Sequence, residues 1–206
     1  MRRRHLSLAP FLPNIIFDVS FDDYMSRLEC KNLAEQLIRI FNFNKFGLFG
    51  NNRTNLDLFN LHVTNLQSSG HTRTFLDGLF GAKTRPYYPT VHFHDRPFTE
   101  LFEKKHLIYM SPHASEVMTE YDHNAFYIIG GIVDRREVIE LTPDKCNQLG
   151  IRSVRLPIEL LVWNEVQSLC DVFKLLHEFK YNSSVKFEQK SMSALVQKHM
   201  QNKKRR

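Results

Sequence analysis

The stretch Tyr127 to Arg136, YIIGGIVDRR, carries most of the information about the fold. Together with Phe126 before it, the Tyr127-Ile128-Ile129 run is short and apolar, as in a strand buried on both faces of a parallel sheet. It stops at Gly130-Gly131, and a carboxylate follows at Asp134. Glycine allows close approach to the backbone, so the pair reads as a plain turn or as a loop over a cofactor. It is neither the G-x-G-x-x-G dinucleotide fingerprint nor the phosphate-binding G-x-x-x-x-G-K-[ST].

Working outward, strands alternate with helices. Thr142-Pro143-Asp144 reads as a helix start, with Thr as cap, Pro in the first turn and Asp at the positive end. Gly150 ends that helix, Ser153 to Leu156 reads as a strand, and a long helix is expected over 165–180. Upstream, Leu107 to Met110 reads as a strand and 114–120 as a helix. Asn14 to Asp18 is an apolar run ending in a carboxylate. From Arg27 to Phe41 the period becomes helical, with Leu33, Leu37, Ile40 and Phe41 on one face and Asn32, Gln36 and Arg39 on a polar stripe. Residues 42–54 read as a loop, Leu56 to Val63 as a strand, 72–80 as a helix and Thr90 to His94 as a β-like run. The expected fold class is α/β, three layers around a mainly parallel sheet. In such folds ligands sit at the carboxyl ends of the strands.

At 206 residues the chain suits one domain of this class with short tails, and 42% hydrophobic with 24% charged residues argues against wholesale disorder. No stretch reaches the roughly 20 apolar residues of a membrane helix, so no membrane span is expected. Three cysteines without C-x-x-C spacing disfavour a disulfide framework and a Cys-rich zinc site, and favour a reducing compartment. The net charge of +6 comes from the ends: Arg2 to Arg4 and Lys203 to Arg206 are basic, and without them 21 basic residues face 22 acidic ones. Such ends neutralise phosphates or keep a chain soluble. MRRRHLSLAPFL at the start has Arg and no acid, compatible with the remnant of a mitochondrial targeting segment, while Pro10 and Pro13 break a secretory signal. The expected organisation is a basic segment over 1–13, a domain over 14–180 and a basic tail over 181–206.

The Tyr127–Arg136 block, followed by LGIRSVRLPI at Leu149 to Ile158, resembles the tRNA position-9 purine N1-methyltransferases of the SPOUT superfamily. FDVSFDDYM at Phe17 to Met25 is similar to that family's opening motif. LIYMSPHA at Leu107 to Ala114 is similar to its middle strand, with Met110-Ser111 where a Leu-Thr pair is usual. Asn32 with Gln36, and Leu58-Phe59-Asn60-Leu61, resemble the mitochondrial branch. The resemblance implies a SPOUT-type Rossmann-like domain with a C-terminal trefoil knot that holds S-adenosyl-L-methionine. It further implies a mitochondrial location (nucleus or cytoplasm being the alternative) and tRNA as substrate. A short-chain dehydrogenase and a protein-only ribonuclease P nuclease subunit are the implied partners.

By that resemblance Met110, Gly130, Gly131, Asp134, Arg135, Thr142, Cys146 and Leu156 are expected at the cofactor. Asp18, Ser20, Asp22, Arg39 and Arg136 are expected at the substrate. Guanine N1 carries a proton that a base must remove, whereas adenine N1 offers a lone pair and yields a cationic product. Asp134 is the candidate base or stabiliser, with Asn32 and Gln36 as amides addressing one base edge. Each has a plainer reading: a turn aspartate for Asp134, a solvated helix face for the amides, turn and helix capping for the acidic residues, and a small core residue for Cys146. His92 and His94 share a strand face beside Asp95, but without a third ligand in evidence no metal is expected. Two other functions remain in view. One is a catalytically weak tRNA-binding scaffold of a ribonuclease P-like complex. The other is a metal-dependent nuclease built on Asp18, Asp22 and Asp23, which lacks a second acidic cluster.

Overall fold

The apolar run before the glycine pair is a strand, and five others align with it in one sheet. In the computed structural model, residues 12–46, 58–81, 83–133, 141–157 and 168–181 are described. The strands are β1 (Asn14–Asp18), β2 (Asn60–Thr64), β3 (Val91–Phe93), β4 (Leu107–Met110), β5 (Phe126–Gly130) and β6 (Arg152–Val154). Their order across the sheet is β3-β2-β1-β5-β4-β6, and every adjacent pair is parallel. The helices are α1 (Arg27–Phe46), α2 (His71–Leu79), the single-turn α3 (Phe98–Leu101), α4 (Leu141–Leu149) and α5 (Leu169–Tyr181).

Period-two alternation sends successive side chains to two apolar clusters. Ile15, Phe17, Ile108, Met110, Tyr127 and Ile129 join one, with Leu33, Leu37 and Phe41 of α1, Leu76 of α2 and Phe173 of α5. Ile16, Leu107, Tyr109 and Ile128 join the other, with Phe98 of α3, Cys146 of α4 and Ile151. The abundant phenylalanines are mostly core: Phe173 has ring centroids of Phe17, Phe43 and Phe59 at 6.3, 5.7 and 5.6 Å. From β1 the chain steps outward to β2 and β3, then returns to build β4, β5 and β6 on the other side. The reversal beside β1 is where such sheets open a ligand crevice.

Several elements depart from the sequence reading. α1 continues to Phe46 because Asn44, read there as a loop residue, is buried and clasps the backbone of Phe59. Its Nδ2 donates to the Phe59 carbonyl at 2.9 Å and its Oδ1 accepts from the Phe59 amide at 3.0 Å. Residues 114–120 form no helix. Val117 instead bridges Arg155, with Met118 N donating to Arg155 O at 2.9 Å and Arg155 N to Glu116 O at 2.8 Å. The backbone groups a helix would have satisfied internally are met by the continuation of β6. β2 starts at Asn60 rather than Leu56, and α4 starts at Leu141, one residue before Thr142. Gly150 ends α4 with a positive φ of 61°. The Ser168 hydroxyl caps α5, accepting from Asp171 N at 3.2 Å. Residues 158–167, in the passage expected to thread a trefoil, lie outside the described residues. Among the described residues no helix is long and apolar enough to cross a membrane.

β2 brings a third histidine beside His92 of β3 and His94 just after it. His62 lies opposite His92, their rings stacked at 4.8 Å, and His62 Nδ1 is 3.1 Å from His94 Nε2. His62 Nε2 meets Asn14 Oδ1 at 3.0 Å, so it donates there and leaves Nδ1 to accept from His94. Both nitrogens are engaged, and among the described residues no group of three or more His, Cys, Asp or Glu is arranged to hold a metal ion. Burial, then the two neighbouring imidazoles, hold His62 down to about 3. The folded chain therefore takes up fewer protons there than the unfolded chain. The resulting stability is complete above the ordinary imidazole value and is lost as pH falls below it. From pH 7.5 to pH 5 this group alone is expected to remove up to about 2 kcal/mol. Urea unfolding at both pH values should show a shallower loss for His62→Gln, and equal losses would dismiss the cluster as the cause.

Candidate cofactor and substrate site

The carboxyl ends of β1, β5 and β4 lie side by side, and a buried carboxylate joins them. Asp18, the last residue of β1, is 0% exposed. Its Oδ1 accepts from Asn65 Nδ2 at 3.0 Å and from Ser20 N at 3.3 Å. Its Oδ2 accepts from Tyr109 OH at 3.0 Å and from Lys145 Nζ. Burial, then the Asp18 charge, pushes the Tyr109 phenol well above its usual range, so it stays a donor. A buried anion is tolerated when a cation pairs with it and its lone pairs are filled, as here. The roughly four acceptor positions of a carboxylate are thus used within the protein. Asp18 organises the rim from within the protein.

The glycine pair is explained by the same rim. A Cβ on Gly131 would stand 2.9 Å from the Asp18 carbonyl oxygen, 3.1 Å from Val19 Cγ1 and 3.3 Å from Leu33 Cδ2. One on Gly130 would stand 3.1 Å from the Tyr109 hydroxyl. On these sides the space that glycine leaves is bounded by Asp18, Val19, Leu33 and Tyr109. Gly131 N donates to Asp18 O at 2.8 Å, and Val133 N to Met25 Sδ at 3.4 Å. The chain entering Asp134 is therefore fastened to the β1–α1 connection. Asp134, Arg135 and Arg136 lie outside the described residues.

Of the other cofactor candidates, Met110 ends β4 and Leu156 follows β6, both buried in the apolar cluster on the α1 side. Thr142 falls in the first turn of α4, its side chain outside the described residues. Cys146 is 2% exposed in the opposite cluster, and burial pushes its thiol up to about 11. Its side chain packs there as a small core residue.

On the substrate side, Ser20 is half-buried and lines a cleft of about 150 Å³ with Asn65, Asp22, Asp23, Gly70 and Arg73. Asp22 caps α2, accepting from Thr72 N at 3.0 Å and from the Thr72 hydroxyl. It is a helix cap reaching across the chain, and it lines the cleft as well. Asn32 is exposed on the first half of α1, and Arg39 pairs with Glu35 at 3.7 Å with its side chain in solvent. Gln36 is divided. Its Oε1 accepts from Leu169 N at 3.0 Å, capping the start of α5, and its NH₂ group is not used in that contact. Gln36→Leu is expected to cost about 1 kcal/mol in urea unfolding by orphaning that amide. No change in stability would detach Gln36 from α5.

A profile of the family described as tRNA (guanine(9)-N(1))-methyltransferase TRM10/TRM10A matches residues 1–201. The chain belongs to this family. A Drosophila melanogaster protein named mitochondrial ribonuclease P protein 1 homolog is 32% identical over 149 residues, covering 72% of this chain and 31% of that protein. The tRNA (guanine(9)-N1)-methyltransferase of Schizosaccharomyces pombe is 30% identical over 166 residues, covering 77% of this chain and 50% of that enzyme. The chain spans about half the length of such curated relatives or less. The crystal structure of full-length spTrm10 in complex with SAH aligns with a TM-score of 0.72 at 25% identity, over 90% of this chain and 96% of that one. A dual specific Trm10 from Thermococcus kodakaraensis shares the fold, with a TM-score of 0.59, 20% identity and coverage of 90% and 99%.

In this TRM10/TRM10A family member, the three motifs read from separate stretches meet at one rim, since β5 sits between β1 and β4. Lys145, Tyr109 and Asn65 belong to that rim and had escaped the sequence reading. Tyr109 is the one polar-tipped residue in the β4 run, and Asn65 follows β2 with a positive φ of 57°, which are signals of a kind. Nothing local marks Lys145, whose partner Asp18 is 127 residues away.

Proposed function

We propose that the chain transfers a methyl group from S-adenosyl-L-methionine to N1 of the purine at position 9 of tRNA, guanine or adenine. The observation that carries this reading is that the family's strand-end motifs converge on one carboxyl rim in a chain matched to the family over almost its whole length. Met110 at the end of β4 and Leu156 just beyond β6 are apolar side chains of the kind that line ligand sites. Met110, Gly130, Gly131, Asp134, Arg135, Thr142, Cys146 and Leu156 would hold the cofactor, several of them through their backbone, within a domain over 14–180 whose C-terminal passage we take to be knotted.

When bound, S-adenosyl-L-methionine supplies an electrophilic methyl group. The protein's part is to present N1 in line and to manage its proton. For guanine, the Asp134 carboxylate takes the N1 proton. For adenine, the same carboxylate offsets the charge of the product. Asn32 and the Gln36 NH₂ group hold the base edge. Arg39, Arg136 and the basic ends contact the phosphate backbone. The mitochondrial name of one relative supports a mitochondrial setting linked to tRNA 5′ processing, with a short-chain dehydrogenase and a protein-only nuclease subunit as partners.

Titration calorimetry with S-adenosylhomocysteine should give an affinity of about 1–10 μM, equivalent to about −7 to −8 kcal/mol. Incubation with S-adenosyl-L-methionine and a tRNA transcript should leave a methyl group on N1 at position 9. No heat from a cooperatively melting chain would replace the enzyme with the scaffold reading.

A further inference from the structure

Lys145 reaches from α4 to the end of β1 and is held on four sides. Its ammonium donates to Asp18 Oδ2 and, at 2.6 Å, to Ser20 Oγ. The rings of Phe21 and Phe98 stand 4.9 and 5.4 Å from it. An ammonium has donors only, so Ser20 Oγ is the acceptor in that contact. The hydroxyl proton of Ser20 must therefore turn away from Lys145. Asp18 is no outlet for it, because both carboxylate oxygens already take two donors each. The remaining direction is the cleft that Ser20 lines.

We infer that Lys145 is a positioning residue that presents the Ser20 hydroxyl as a hydrogen-bond donor to the 6-keto oxygen of a guanine in this cleft. The inference rests on the proposed methyltransferase reading and adds a source of base choice. Guanine offers an acceptor at position 6 where adenine offers an amino group. A hydroxyl polarised by a neighbouring ammonium favours the acceptor, and a site built to donate penalises a base that only donates there. Lys145 itself need not touch the nucleotide. Its pairing with Asp18 keeps the rim neutral and gives Ser20 one orientation.

The test is the affinity of the full chain, with S-adenosylhomocysteine present, for two forms of one tRNA transcript, guanine-9 and adenine-9. The wild type should prefer the guanine form. Ser20→Ala, which removes a small half-buried hydroxyl, should lower the guanine-to-adenine affinity ratio about tenfold, the value of one hydrogen bond. Lys145→Met should lower it by the same factor, Lys145→Arg should restore it, and Ser20→Ala with Lys145→Met should lower it no further. S-adenosylhomocysteine affinity should stay unchanged in Ser20→Ala. An unchanged ratio in Ser20→Ala, equal weakening for both purines, or a double-variant loss equal to the product of the single losses overturns the inference. A wild-type chain that binds no S-adenosylhomocysteine overturns the methyltransferase reading itself.

Discussion

Asp134→Asn is expected to slow guanine-9 methylation about a hundred- to ten-thousand-fold, the usual cost of losing a positioned general base. Guanine N1 cannot attack while it carries its proton, and a carboxamide cannot remove it. Adenine N1 already has its lone pair, so its methylation loses only the electrostatic offset of the carboxylate and falls far less. Single-turnover rates at saturating S-adenosyl-L-methionine, on transcripts differing only at position 9, separate the two. A guanine rate within about threefold of wild type would remove Asp134 as the base, because a lost general base costs at least about a hundredfold.

Gly131→Ala is expected to cost about 3 kcal/mol, near the upper end for inserting a methyl group into a filled site. A Cβ there meets a backbone oxygen, Asp18 O, at 2.9 Å, and no rotamer change can move it. The hydrogen bond between Gly131 N and that same oxygen must lengthen, or β5 must shift against β1. In a chain of this size such a loss lowers the melting temperature by about 6–12 °C. Gly78→Ala is the matched control, because nothing lies within 4 Å of a Cβ at that position. Equal melting temperatures for the two variants would show that the rim yields more readily than its geometry implies.

The fold was legible wherever one strand's own residues decide its burial. Asn14 to Asp18, Leu107 to Met110 and Phe126 to Ile129 are apolar runs bounded by polar or glycine residues, and all three are strands. What escaped depends on partners far along the chain. Asn44 looks like a loop former until Phe59 is placed against it. Residues 114–120 look helical until Arg155 offers them a backbone partner. The same holds at the site. The rim was legible from motifs, yet the capping roles of Asp22 and Gln36 required α2 and α5 to be docked. The third histidine, His62, required β2 and β3 to be paired.

β1 lies inside the sheet, with β2 on one flank and β5 on the other. A ribosome releases Asn14–Asp18 well before Phe126–Gly130, so in that interval this strand has an open edge lined by Ile15, Ile16 and Phe17. An unpaired apolar edge recruits other chains. Parallel partners so distant in sequence also close slowly. The nascent chain thus carries a sticky seam until Phe126–Gly130 has emerged, a demand on chaperones written into strand order rather than into any residue of the site.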